Sequence, residues 1–126
     1  MKKIDGLLEQ MRLLRNPKNG CEWDKAQTHK SLVKYLKEET QEVIEAINKE
    51  DKENLSEELG DLLLQIIFHC QIAEEKGFFD FEKVVEKLSK KIERRHPFVF
   101  KNIRSHTIEE QREMWKKIKS QEKDNA

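Results

Sequence analysis

Two stretches decide the fold: Leu32–Ile47, LVKYLKEETQEVIEAI, and Glu57–Ala73, EELGDLLLQIIFHCQIA. In the first, Leu32, Leu36, Glu39, Val43, Ala46 and Ile47 recur at spacings of three and four, which is one stripe of a helix. Glu39 lies in the middle of that apolar stripe. In the second, Leu59, Leu62, Leu63, Leu64, Ile66, Ile67, Phe68, Cys70, Ile72 and Ala73 run almost all the way round the helix. Such a helix is expected to be buried on most sides, with Asp61 inside it. Both stretches therefore carry acids where a packed helix carries apolar groups. These are the clusters Glu38-Glu39-x-x-Glu42 and Glu58-x-x-Asp61. Three residues apart on a helix is one face. Acids converging from two helices repel each other unless a cation sits among them, and oxygen ligands suit a hard divalent ion. The plainer reading is a solvated acidic face paired with Lys34, Lys37 and Lys49. The interruption of two apolar stripes favours the metal.

Working outward, 126 residues make one domain, expected over 1–126. Hydrophobic residues are 36% and charged residues 40% of the chain, but the apolar positions are periodic, so it packs rather than staying disordered. A helix apolar all round in so small a chain implies a core shared in a homo-oligomer, a homodimer or dimer of dimers. The formal net charge is zero, so no overall field draws nucleic acid or a membrane surface. Locally the charge is uneven. Residues 38–61 hold ten acids and two bases. Further on come Lys83, Lys87, Lys90, Lys91, Arg94, Arg95, Lys101 and Arg104. Acids with metal plus a basic segment suit a polyphosphate ligand. Cys21 and Cys70 have no redox or metal spacing. With no signal peptide or membrane-spanning run, a cytoplasmic protein is expected.

The pattern predicts an all-α bundle of about five helices. The first covers residues 2–15 and stops at the turn cluster Asn16-Pro17-Lys18-Asn19-Gly20. An irregular segment carrying Trp23 and Lys25 runs to about Thr28. The second helix covers 29–49. The third is capped by Asp51 and runs to Lys76, with Gly77 as its stop. The fourth is capped by Asp80 and ends near His96, before Pro97. Thr107 and Glu110 form a capping box for the last, which runs to Lys119; residues 120–126 are expected to fray. Other chemistry finds little footing. There is no glycine-rich phosphate loop, the histidines lack zinc spacing, and His69 reads as a satisfied core histidine. Glu93-x-x-His96 occurs once, whereas di-iron bundles need it twice; the all-oxygen acid set favours magnesium, with manganese possible. Lys91 with Arg95, and Trp115 with Lys119, are pairs four apart that share helix faces.

These residues resemble a known family. Asn16-Pro17-Lys18-Asn19-Gly20-Cys21-Glu22-Trp23-Asp24-Lys25-x-Gln27-Thr28, Glu38-Glu39-x-x-Glu42-Val43, Glu57-Glu58-Leu59-Gly60-Asp61-Leu62-Leu63, Lys91-x-x-Arg94-Arg95-His96-Pro97-x-Val99-Phe100 and Trp115-x-x-Ile118-Lys119 match, in order, the MazG nucleoside triphosphate pyrophosphohydrolases. Members are all-α enzymes that cut a nucleoside triphosphate to the monophosphate and pyrophosphate with magnesium. The resemblance implies that Glu39, Glu42, Glu58 and Asp61 hold magnesium and that Glu38 orients or deprotonates the attacking water. It implies phosphate contacts for Lys91 and Arg95, and substrate contacts for Trp115, Lys119, Trp23 and Lys25. The chain departs from the family at Glu22, often Pro, and Phe98, often His. Two alternatives stand beside this: a dedicated dUTP, dCTP or phosphoribosyl-ATP pyrophosphohydrolase, and a non-catalytic helical module that binds nucleotide as a regulator.

Overall fold

The computed structural model describes residues 2–101 and 105–124; Arg104 of the basic stretch, Asn125 and Ala126 lie outside them. The all-α expectation holds: seven helices and no strand occur among the described residues. They are α1 (Lys2–Leu14), α2 (Glu22–Ala26), α3 (Val33–Asn48), α4 (Lys52–Glu75), α5 (Phe81–Arg95), α6 (Pro97–Phe100) and α7 (Ile108–Asp124). Five are the helices the periodicity predicts. The short α2 and α6 are additions, each a turn or so long and below what hydrophobic period can signal. Two boundaries need correction. The second long helix starts at Val33, not 29, because Thr28 and Ser31 cap each other's backbone amides, Thr28 N to Ser31 Oγ at 2.8 Å and Ser31 N to Thr28 Oγ1 at 3.0 Å. Side chains that bond their own backbone this way compete with helix. The last helix continues past Lys119 to Asp124, where Glu122 is tied down by two arginines.

The described residues divide between two compact units, one within Met1–Phe81 and one within Glu82–Ala126. In the first, Met11, Leu32, Ile67, Phe68 and Ile72 form the buried cluster, with Ile4, Leu8, Tyr35, Leu63 and Phe81 against it. This ties α1 to the α3–α4 hairpin. The expected all-round burial of α4 is not seen in this chain alone: Leu59, Leu64 and Ile66 are 43–48% exposed. In the second unit Phe98 is buried, and its ring meets those of His96 and His106 edge-on, while His96 meets Trp115 likewise. The expected capping box is formed, Glu110 N donating to Thr107 Oγ1 at 3.1 Å and Thr107 N to Glu110 Oε1 at 3.2 Å. That contact holds the Glu110 carboxyl below its usual range.

The α3–α4 turn positions the acids. Glu50 N donates to Ile47 O and Asp51 N to Ala46 O, a Schellman closure, with Glu50 left-handed at φ 56°. Asp51 then caps α4, accepting from Asn54 N at 3.2 Å, as the sequence predicts. Gly77 closes the other end of α4 in the same way at φ 74°, with Phe78 N donating to Ala73 O. The two sites use one backbone conformation, but only the second has the residue that adopts it without steric cost. Glu50→Gly is therefore expected to raise stability by about 1 kcal/mol and Gly77→Ala to lower it by about 1 kcal/mol. Urea unfolding of the two variants, with opposite displacement of the midpoints, checks this.

Candidate metal and nucleotide site

Glu39 and Glu42 stand one turn apart on α3, and Glu58 and Asp61 one turn apart on α4. The turn at Glu50 brings the two pairs face to face. One carboxylate oxygen from each of the four lies within 4.8 Å of the others. Among the described residues none of the four is paired with a lysine or arginine. Lys34, one of the cations the plainer reading assigned to them, instead lies over the Tyr35 ring at 4.9 Å. One expectation is corrected here. Asp61 is exposed, as is Glu42, because the part of α4 around it has Leu59 and Leu64 also at the surface. The half-buried members are Glu39 and Glu58, and each has one oxygen, Oε2, shut off from solvent with no hydrogen-bond partner.

A buried carboxylate oxygen without a donor is costly. The protein's own electrostatics register it. Glu58 is pushed up to about 7, first by a hydrogen bond shared with Glu42, then by burial and by the charges of Glu42, Asp61 and Glu39. Glu39 is raised by burial first, then by Glu42, Asp61 and Glu38. Four hard oxygen donors with two orphaned oxygens fit a magnesium-type cation, which would satisfy the orphans and cancel the repulsion together.

The other expected site residues are divided between the two units. Glu38 is exposed next to Glu39. Trp23 and Lys25 belong to the first unit. Trp23 meets Tyr35 and Phe68 edge-on at 5.5 and 6.3 Å, and Lys25 Nζ is engaged by Glu22 at 2.8 Å and Pro17 O at 3.3 Å. Lys91, Arg95, Trp115 and Lys119 belong to the second unit. There the Trp115 indole donates to Arg95 O at 2.6 Å, and Arg95 Nη2 pairs with Glu122 Oε1 at 3.0 Å. Arg94 joins the pair, and the two arginines hold Glu122 down at about 2. Lys91 and Lys119 are exposed.

Sequence reasoning missed three partners. Glu122 carries no motif. His29 and His69 stack 4.9 Å apart with Nδ1 atoms 2.7 Å from each other, so one imidazole donates to the other. His69 is thus not the fully satisfied core histidine expected, since its Nε2 is buried without a partner, and burial lowers its pKa. Arg15 bonds backbone carbonyls, a contact no residue pattern encodes.

The two Glu-x-x-acid pairs thus make one all-oxygen acidic cluster on the α3–α4 hairpin of an all-α fold. The family model described as the MazG nucleotide pyrophosphohydrolase domain matches residues 27–100. A nucleoside triphosphate pyrophosphohydrolase of Escherichia coli K12 is 46% identical over 123 residues, 98% of this chain and 47% of the relative. The nucleoside triphosphate pyrophosphohydrolase/pyrophosphatase MazG of Thermotoga maritima is 48% identical over 120 residues, 95% of this chain and 45% of its own length. The crystal structure of a MazG-related protein from Thermotoga maritima superposes with a TM-score of 0.76 at 30% identity, covering 95% of this chain and 99% of that one. The chain belongs to the MazG family. It spans about half the length of the curated relatives it matches.

The raised pKa of Glu58 fixes the sign of a pH effect. The native state holds a proton on Glu58 that the unfolded chain releases above about 4.5. Stability of the metal-free protein is therefore fullest below that value and falls as pH rises through about 7. Glu58→Gln, which cannot ionise, should flatten this part of the profile. Urea midpoints of both proteins at pH 5 and pH 8, with chelator present, test it; equal pH dependence in the two would remove Glu58 from the repulsive cluster.

Proposed function

We propose that this chain hydrolyses nucleoside triphosphates to the monophosphate and pyrophosphate with magnesium, as a nucleotide-pool house-cleaning enzyme. The observation that carries the reading is the convergence of Glu39, Glu42, Glu58 and Asp61 with two orphaned buried oxygens. The names of the relatives support the reaction class. The four carboxylates would hold the cation, and bound magnesium polarises phosphate oxygens and lowers the pKa of a ligated water.

The chain's own residues supply the rest. Glu38, exposed beside the cluster, orients or deprotonates the attacking water. The water oxygen bonds to the α-phosphorus, the bond from that phosphorus to the α–β bridging oxygen breaks, and its electron pair leaves with pyrophosphate. Within the first unit Trp23 and Lys25 offer contacts to a nucleotide; within the second, Lys91 and Arg95 offer charge to a leaving pyrophosphate, and Trp115 and Lys119 contacts to a nucleotide. The exposed apolar side chains of the hairpin, including Leu36, Ile44, Ile47, Leu59, Leu64 and Ile66, support a homodimer or dimer of dimers. Among the described residues no helix is long and apolar enough to cross a membrane, in keeping with action on soluble nucleotides.

Pyrophosphate release from a panel of ribo- and deoxyribonucleoside triphosphates and phosphoribosyl-ATP, with and without magnesium, is the direct test. Magnesium-dependent turnover of several is expected. Binding without turnover would favour the regulatory module, and turnover of dUTP, dCTP or phosphoribosyl-ATP alone the dedicated enzyme. Glu58→Gln should abolish turnover with helicity retained, and unchanged turnover would exclude it as a ligand. Arg95 separates a second pair of readings. If it serves phosphates, Arg95→Ala loses roughly 2–4 kcal/mol of transition-state stabilisation, read mainly in kcat. If it serves only Glu122, Arg95→Ala and Glu122→Gln share a lowered Tm and normal kinetics.

A further inference from the structure

The segment carrying Trp23 and Lys25 is not self-supporting. Its helix, α2, has five residues, no side-chain cap and no buried residue. So short a helix has little stability of its own. The turn entering it is tight: Cys21 N donates to Leu14 O at 2.8 Å, and a Cβ on Gly20 would stand 2.6 Å from Asn16 O. That fixes where α2 begins. Its other end is fixed from outside, by Arg15. Arg15 Nη1 donates to Asp24 O at 2.6 Å and Gln27 O at 3.1 Å, carbonyls at the C-terminal end of α2 that have few helical donors. Its Nε and Nη2 donate to the two carboxylate oxygens of Glu75, both at 2.8 Å. Glu75 closes α4, and Arg15 follows directly on α1. One guanidinium, its side chain only 9% exposed and lying 5.6 Å from the Phe68 ring centre, thus joins three elements.

What it fixes matters for the nucleotide. Trp23 leans on Tyr35 and Phe68. Tyr35 stands one turn before Glu39 on α3, and Phe68 two turns after Asp61 on α4, so both lie along the stripes that carry the acids. We propose that Arg15 is the positioning residue of the nucleotide site: it fixes the pose of the 22–27 segment and so presents Trp23 and Lys25 to the substrate. This rests on the reading of those two residues as substrate contacts given above. Arg15 touches no reacting atom. Its four bonds need a planar fork with donors on two edges, which a lysine ammonium cannot reproduce although it keeps the charge.

Arg15→Lys separates geometry from charge, and Glu75→Gln weakens the anchor while leaving the arginine. In the folded variants KM for the nucleoside triphosphate should rise about tenfold in Arg15→Lys and less in Glu75→Gln, with kcat at saturation within about threefold of wild type. Magnesium affinity in the absence of nucleotide should not move. A second readout does not depend on turnover. In a Trp115→Phe background Trp23 is the single tryptophan of the chain, and its fluorescence should become more quenchable by acrylamide when Arg15 is Lys. A folded Arg15→Lys protein with wild-type KM and wild-type Trp23 quenching would overturn the proposal. Raised quenching with unchanged KM would also overturn it, because the segment would then move without consequence for substrate. A wild-type protein that turns over no nucleotide sinks the functional reading instead; nucleotide affinity and quenching then decide Arg15's role.

Discussion

Mutual repulsion among Glu39, Glu42, Glu58 and Asp61 is the constraint that the rest of the first unit has to satisfy. Four acids whose oxygens lie within 4.8 Å of one another will not stay together on a flexible surface. Something must push them together, and something must discharge them. The hairpin does the first. The Glu50 turn sets the register of α3 against α4, and it does so with a left-handed non-glycine residue, so it too is strained. Strain at the turn and repulsion at the site add, and both are opposed by the same buried cluster. Leu32, Ile67, Phe68 and Ile72 each contribute on the order of 1.5–3 kcal/mol by leaving water.

Discharge has two routes, and they compete. Without metal, Glu58 takes up a proton near neutrality, which removes one charge from the cluster and lets Glu58 donate a hydrogen bond to Glu42. A divalent cation would remove more charge and would supply partners for the orphaned oxygens of Glu39 and Glu58. Protonation and metal binding would then be linked: the ion would have to expel the proton, so its affinity would rise with pH across the range where Glu58 titrates. A site built from lysine-paired acids would show neither behaviour, since each acid would already be neutralised.

Helix α4 divides its polar face between two kinds of site. Glu58, Asp61, Gln65 and His69 fall at spacings of three and four and share one side of the helix. The first two are carboxylates, Glu58 half-buried and Asp61 exposed. Gln65 is 7% exposed, and His69 below it exchanges a hydrogen bond with His29. Two imidazoles that donate and accept between their Nδ1 atoms cannot both be charged, and burial lowers the His69 pKa further. The helix thus runs from an acidic end to a neutral one. A hard cation would favour the acids. Nitrogen ligands would suit a softer metal, and here the two Nδ1 atoms are engaged with each other.

The charged half of this arrangement could be read from the sequence and the neutral half could not, for a physical reason. Helical period reports which residues share a face of one helix, so the stripes through Glu39 and Asp61, the Asp51 cap, the Gly77 stop and the Thr107–Glu110 box were all legible and are all present. Period says nothing about which residues of different elements meet. His29 lies 40 residues from His69, and Glu122 lies 27 from Arg95, and no spacing links them. It is also blind to how deep a face lies, which is why Asp61 was expected inside and is found outside. Arg15 is the extreme case, because two of its acceptors are backbone carbonyls, and every residue at positions 24 and 27 would offer the same oxygen. The acids could be recognised because their side chains are the chemistry. The arginine acts on backbone whose position the fold alone determines, so only the folded chain reveals it.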